Sequence, residues 1–373
     1  MFKGQVTIQR LMLATAELNA SDLHLKAGLP PIFRINGLLH PADMPALTGE
    51  DTERLMAGIV PERLKSKFET QGDLDFATYN EAGDRFRVNM FSAGGQVCAA
   101  IRRVKSEIPT YASLHLPPIY DQLVERTAEG LILVVGVTGS GKSSTLAAMI
   151  EHINATREEH IITIEDPVEY RFKIKKAAIS QREIGIDVPD YKSALRYVVR
   201  QDPDVVFIGE MRDHDTVLAA VQAAETGHLV FGSMHTADTM QSMSRILEFF
   251  QQEEHAFIRS ALANTLKAVC AQRLLPALQG FEVGAVPATE VLINTPLVKE
   301  RIREGRDTDI PAIINQSKAE GMRSFTQSLA ELVEKEWVAK SVAMEYAPNR
   351  EALDSELKGL HVRAQGLVQR IRG

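Results

Sequence analysis

Cysteine is nearly missing from this chain. Cys98 and Cys270 are its two thiols among 373 residues, too few for a disulfide framework or a four-thiolate zinc site. They read as buried small apolar residues in a reduced, cytosolic setting. Long apolar runs are missing too. No stretch approaches the roughly 18 to 20 residues needed to cross a bilayer, and residues 1–10 lack a signal peptide's apolar core. Neither a secretory leader nor direct membrane insertion is expected, so membrane association would run through a partner or a surface helix. Nor is there an excess of positive charge: 42 Lys and Arg against 49 Asp and Glu leave a formal net charge of −7. That balance disfavours a broad phosphate-neutralising surface and predicts no nucleic-acid partner. Repeats and low-complexity tracts are absent, and a chain 45% hydrophobic and 24% charged is long enough to bury two or three cores.

What is present is most concentrated at residues 131–145. An apolar, β-branched run ends in Gly136-Val-Thr-Gly-Ser-Gly-Lys-Ser143, the G-x-x-x-x-G-K-[ST] pattern of phosphate-binding loops. Gly136, Gly139 and Gly141 let backbone N–H groups turn inward around phosphate oxygens, which a Cβ would obstruct. Lys142 supplies positive charge at the β and γ phosphates, and Ser143 offers a hydroxyl to Mg²⁺. A helix expected from there to about Ile153 directs its positive dipole end at the anion. ATP or GTP with Mg²⁺ is thus expected, with Gly136, Thr138, Gly139, Ser140, Gly141, Lys142, Ser143 and Ser144 around the phosphates.

Before this loop, the first hundred residues read as a small α+β domain. Asn36-Gly37 between residues 32–35 and 38–40 is a hairpin signal, and residues 74–79, 85–91 and 97–104 predict three further strands of an antiparallel sheet. A proline-rich connector at residues 108–118 marks the boundary. From Leu131 onward short strands at 161–164, 205–208 and 229–231 alternate with amphipathic segments at 191–200 and 216–225, predicting a doubly wound parallel sheet. Gly227 fits a helix C′ position and Asp238 with Gln241 a capping box. Beyond about residue 255 the reading is largely helical, including 257–275, 298–303, 325–335 and a charged tail from Glu351. The expected division is 1–104, a linker 105–118, a core 119–280 and a helical region 281–373.

In a parallel sheet, ligands collect at the carboxyl ends of the strands. Three polar clusters follow such ends: Glu165 and Asp166, Glu210 with Arg212 and Asp213, and His235 with Thr236. Each residue by itself reads as a helix cap or a satisfied histidine; three at successive strand ends point to a site. Glu210 is expected to position the attacking water and to reach Mg²⁺ through water, Glu165 to polarise water or the metal's shell, and His235 to sense the γ-phosphate or link it to a neighbouring subunit.

The phosphate loop, Thr163-Ile-Glu-Asp-Pro-Val-Glu-Tyr170, Gly209-Glu-Met-Arg-Asp213 and Gly227-His-Leu-Val-Phe-Gly-Ser-Met-His-Thr236 resemble the Walker A, Asp box, Walker B and His box of bacterial secretion-superfamily ATPases. Ala20-Ser-Asp-Leu-His24, Gln181-Arg-Glu-Ile-Gly185 and Arg200-Gln-Asp-Pro-Asp204 match the same group, most closely the retraction ATPases of type IV pili, from Ala20 to about Asn349. The resemblance implies a PAS-like N-terminal domain, a RecA-like P-loop core and a homo-hexameric ring with ATP between the domains. It also implies an inner-membrane platform protein as partner and a cytoplasmic position at the pilus base. Arginines of the N-terminal domain reach the nucleotide in this family, which carries over Arg85, Arg87 and Arg102. Residues 298–305 resemble a segment that retraction needs beyond hydrolysis.

One departure stands out: where the family has Gln and Arg after Phe91, this chain reads Ser92-Ala93-Gly94-Gly95-Gln96. Arg103 is a candidate substitute; without one, transition-state charge is less stabilised and turnover slower or partner-dependent. The functional expectation is an ATP-hydrolysing motor for pilus retraction and twitching motility. Its rivals are an accessory retraction subunit working with a paralogous motor, to which Leu292-Ile-Asn-Thr-Pro296 and Arg102-Arg103 lean, and a pilus-assembly or type II secretion ATPase. A nucleic-acid motor and a non-catalytic nucleotide-binding ring are the readings from other classes.

Overall fold

The computed structural model describes residues 6–35, 37–104, 107–281 and 283–359. The chain forms two compact units, Met1–Glu107 with Val168–Lys173, and Ile108–Pro167 with Ile174–Gly373.

The first unit is built on six antiparallel strands, β1 (Asp22–Leu25), β2 (Ile32–Ile35), β3 (Leu38–Pro41), β4 (Asp73–Tyr79), β5 (Arg85–Ala93) and β6 (Gln96–Arg103), in the order β3-β2-β1-β6-β5-β4. Period-two alternation sets its two faces. On β5, Phe86, Val88 and Met90 are buried, and they join Leu11, Met12, Leu23, Leu55, Met56 and Ile101 in one core. Arg85, Arg87 and Asn89 occupy the other face. The expected hairpin is present, with Ile35 opposite Leu38 and Gly37 at φ +81°; Asn36 lies outside the described residues. Val168–Lys173 belongs to this unit: Arg171 donates to the Gly83 carbonyl oxygen at 3.0 Å and its guanidinium lies 4.8 Å from the Tyr79 ring centre.

The second unit holds seven strands: β7 (Gly130–Val135), β8 (His160–Glu165), β9 (Ala178–Glu183), β10 (Val205–Ile208), β11 (Leu229–Met234), β12 (Leu266–Pro276) and β13 (Ala285–Ile293). Their order is β13-β12-β7-β11-β10-β8-β9, parallel throughout except for the antiparallel β12–β13 pair. Every residue of β7, β10 and β11 is buried, as continuous apolar runs require when both faces of a parallel sheet are covered. Helices Lys142–Thr156, Tyr191–Val198 and His214–Glu225 form where their periodicity predicts them. Gly227 takes the C′ position at φ +93°.

Three expectations are overturned. Residues 257–275 are not one helix: the helix His255–Thr265 stops and β12 begins at Leu266. The stretch 268–272 is buried throughout and has no polar phase to separate period two from period 3.6. Likewise the region from 281 is not wholly helical, because β13 opens it. The sheet is therefore mixed: β13 returns from β12 over residues 277–284, too short for a parallel crossover. The Asp238–Gln241 box is half formed. Asp238 accepts from the Gln241 N–H at 2.8 Å and caps Thr239–Glu248, but the Gln241 side chain donates to the Asp238 carboxylate at 3.0 Å. Both cysteines are buried free thiols, and burial pushes Cys270 up to about 12, so Cys270 is not a nucleophile at neutral pH.

The same cap holds a titratable group. Glu290 Oε1 on β13 accepts from the Thr239 N–H at 3.1 Å and its hydroxyl at 2.7 Å. Burial nevertheless raises the carboxyl above its ordinary 4.5, the Thr239 bonds opposing. The folded state therefore holds this proton more tightly than the unfolded chain. The resulting stabilisation is full below the ordinary value and lost as pH rises through the folded one. Glu290→Gln is expected to melt above wild type at about pH 8 and level with it near pH 4, as thermal unfolding followed by circular dichroism would register.

Candidate functional site

Because β7, β11, β10 and β8 are adjacent and parallel, their carboxyl ends line one edge, and the polar residues after each strand are brought together. The loop after β7 is tied down from both sides. The Gly136 N–H donates to the Met234 carbonyl at the end of β11 at 3.2 Å. On the other flank, a Cβ at Gly136 would lie 2.5 Å from the Gln272 carbonyl oxygen of β12, a close approach that only glycine permits. The Gln272 side chain completes the hold, its amide donating to the Ser140 carbonyl at 2.6 Å and its oxygen accepting from the Thr145 hydroxyl at 2.9 Å. Lys142 is buried and donates to the Gly136 and Val137 carbonyls at 2.8 and 3.1 Å. Its ammonium thus lies inside the loop's curve. Ser143 sits in the first turn of the 15-residue helix Lys142–Thr156, whose N-cap Gly141 has φ +88°. Among the described residues the buried Ser140 hydroxyl has no hydrogen-bond partner. An ammonium, hydroxyls and a helix N-terminus around one concave loop form a donor set that fits a polyphosphate and its cation.

The acids divide into different roles. Glu165, buried at the end of β8, accepts from the Thr163 hydroxyl at 2.6 Å and the Gln181 amide of β9 at 3.2 Å. Asp213 is a helix cap, accepting from the Thr216 N–H at 2.9 Å at the start of His214–Glu225. Glu210 is half-buried and faces His235, with Oε1 3.6 Å from Nε2, while His235 Nδ1 lies 3.5 Å from the Thr138 hydroxyl. One imidazole therefore spans from the phosphate loop to the acid of the neighbouring strand. At this exposure the pair contributes little to stability; its value is position.

Three residues here escaped the sequence reading. Gln272 was hidden by the misassigned helix; the signal was a lone amide within the apolar run Val269-Cys-Ala-Gln-Arg-Leu-Leu275. Tyr191 lies against the acid cluster: burial first, then the Asp166, Glu210 and Glu165 carboxylates, push its phenol above the ordinary value, Arg212 opposing. Its hydroxyl leaves no room beside Gly209, where a Cβ would come within 3.0 Å of it. Ser233 donates its hydroxyl to the Gly209 carbonyl and so fixes the start of the Glu210 segment. The predicted arginines belong to the first unit. Arg102 Nε is 2.7 Å from Asp22 Oδ1, Arg87 is its neighbour across β5 and β6, and Arg103 lies 3.5 Å from Asp84. Arg85 opens β5.

Gln272→Leu would strand the Ser140 carbonyl and the Thr145 hydroxyl, at about 1–3 kcal/mol each. We expect a folded protein whose affinity for a fluorescent ATP analogue falls on the order of tenfold or more, with Gly136→Ala losing more.

Among the described residues no helix is long and apolar enough to cross a membrane. The family model of the Type II/IV secretion system protein matches residues 6–336. The type IV pilus retraction ATPase PilT of Pseudomonas aeruginosa is 37% identical, covering 91% of this chain and 98% of that protein. The type IV pilus ATPase PilU of the same organism is 37% identical, covering 87% of this chain and 84% of that protein. A crystal structure of the pilus retraction motor PilT with bound ADP superposes with a TM-score of 0.86 at 41% identity, covering 94% of this chain and 99% of that one. With a match spanning both sheets and every strand of the site, the chain belongs to the type II/IV secretion system protein family.

Proposed function

We propose that this chain is an ATP hydrolase that powers type IV pilus retraction. The observation that carries the reading is the bridge from Thr138 through His235 to Glu210 beside the Lys142 loop, in a chain 37% identical to PilT over 91% of its length. Lys142 would turn from its carbonyls to the β and γ phosphates, with the loop residues Gly136, Thr138, Gly139, Ser140, Gly141 and Ser144 around them. Ser143 would hold Mg²⁺, with Glu210 reaching it through water, and the charge such a cation supplies would offset that on the γ-phosphoryl group. Glu210 would orient the attacking water, Glu165 polarise that water or the metal's shell, and His235 register the γ-phosphate.

In this reading the second unit is a RecA-like core, the first a PAS-like domain, and the chain assembles as a homo-hexameric ring at the inner-membrane platform protein. Arg85 and Arg102 would contribute charge to the nucleotide. Different contacts to ATP and ADP would then bias one arrangement of the units over another. One observation favours a second reading, an accessory subunit joined to a paralogous motor. Where the family carries an arginine, β5 and β6 here close through Gly94 and Gly95 at φ +62° and +77°, with Ala93 opposite Gln96. Positive φ at both positions favours glycine over a side-chain-bearing residue such as arginine.

Glu210→Gln should bind ATP normally and release phosphate on the order of 100-fold more slowly, whereas Lys142→Ala should lose nucleotide binding. Wild type that releases no phosphate, alone or with a paralogous motor, would end the hydrolase reading. Deletion of the gene should leave surplus, immobile pili; bald cells would instead indicate assembly.

A further inference from the structure

A second cluster of ligand-bearing side chains lies away from the phosphate edge. Helix Ile119–Arg126 packs beside Lys142–Thr156, and Asp121 and Glu125, one turn apart, share a stripe of the first helix. From the second helix His152 places Nδ1 3.1 Å from Asp121 Oδ1. One ligand atom from each of Asp121, Glu125 and His152 lies within 4.8 Å of the other two. Ligands about 2.0–2.2 Å from a shared cation stand about 3.3–3.6 Å apart in a tetrahedral shell, so the histidine and aspartate need separate by only a few tenths of an ångström. Glu125 is exposed and can close on it by side-chain rotation.

A different residue gives independent support. The Tyr111 ring packs on the His152 imidazole, centroids 5.9 Å apart, and its hydroxyl, closed off from solvent, has no hydrogen-bond partner among the described residues. The neighbouring cation is engaged elsewhere: the Arg157 guanidinium donates to the Val124 and Thr127 carbonyls and lies 3.5 Å from Glu159. Among the described residues Asp121 and Glu125 form no ion pair with lysine or arginine.

We propose that Asp121, Glu125 and His152 form a divalent transition-metal site that fastens helix Ile119–Arg126 to the far end of the phosphate-loop helix. One imidazole nitrogen with two carboxylates suits Zn²⁺ or a neighbouring first-row ion better than Mg²⁺ or Ca²⁺, which prefer all-oxygen shells.

The full-length, tag-free protein, stripped with chelator and free of nucleotide, is titrated with zinc chloride by calorimetry. One equivalent should bind to wild type, survive excess Mg²⁺, and weaken tenfold or more in His152→Ala and in Glu125→Gln. The second variant alters an exposed side chain, so it decides the matter should the first fail to fold. No uptake by wild type, equal uptake by both variants, or displacement by Mg²⁺ would overturn the assignment. Loading wild type with zinc should also raise its melting temperature, and Glu125→Gln should lose that rise.

Discussion

The hold of β12 on the phosphate loop is the constraint on which the rest of the site depends. Gly136 lies flush against the Gln272 backbone, and the Gln272 side chain reaches around to Ser140 and Thr145. A loop that must surround an anion with inward-facing N–H groups has few internal hydrogen bonds of its own, so its shape has to be imposed from outside. Here the strand beside β7 imposes it. The helix Lys142–Thr156 is then aimed, Lys142 is placed within the curve, and the ends of β11, β10 and β8 fall into line along the same edge.

Much of this was legible in the sequence because the relevant signals are local. Gly136-Val-Thr-Gly-Ser-Gly-Lys-Ser143 encodes the loop by its own steric demands, and alternation on β5 separates Phe86, Val88 and Met90 from Arg85 and Arg87. The strand-end acids were legible as a set but not by role: nothing local separates Asp213, which caps a helix, from Glu210, which faces His235. Residues 266–276 were misread for the opposite reason. Their middle, 268–272, is buried throughout and carries no polar phase, and with the strand went Gln272, whose significance appears only when β12 lies beside β7. Tyr191 was illegible on similar grounds, since its three acidic neighbours come from the ends of β8 and β10.

The composition reads differently once the fold is known. An acidic balance spread over the chain coexists with charges placed one at a time: Arg102 on Asp22, Arg259 bidentate on Asp307 at 2.8 and 2.7 Å, Arg323 on Glu331 at 2.8 Å. Paired guanidinium groups with carboxylates in fork geometry serve as architectural ties, which is consistent with a protein whose chemistry sits in one loop rather than across a charged face.

Val168–Lys173 folds with the first unit although the strands on either side of it belong to the second. The halves therefore share three covalent crossings, at Glu107–Ile108, Pro167–Val168 and Lys173–Ile174, and are not beads on a single string. Proteolytic nicking in the proline-rich connector would leave them tethered. An excised fragment beginning at Ile108 would bring along a severed graft whose Val168, Tyr170 and Phe172 are buried in the intact molecule, so dissection of this protein calls for re-engineering that loop as well as choosing a start codon.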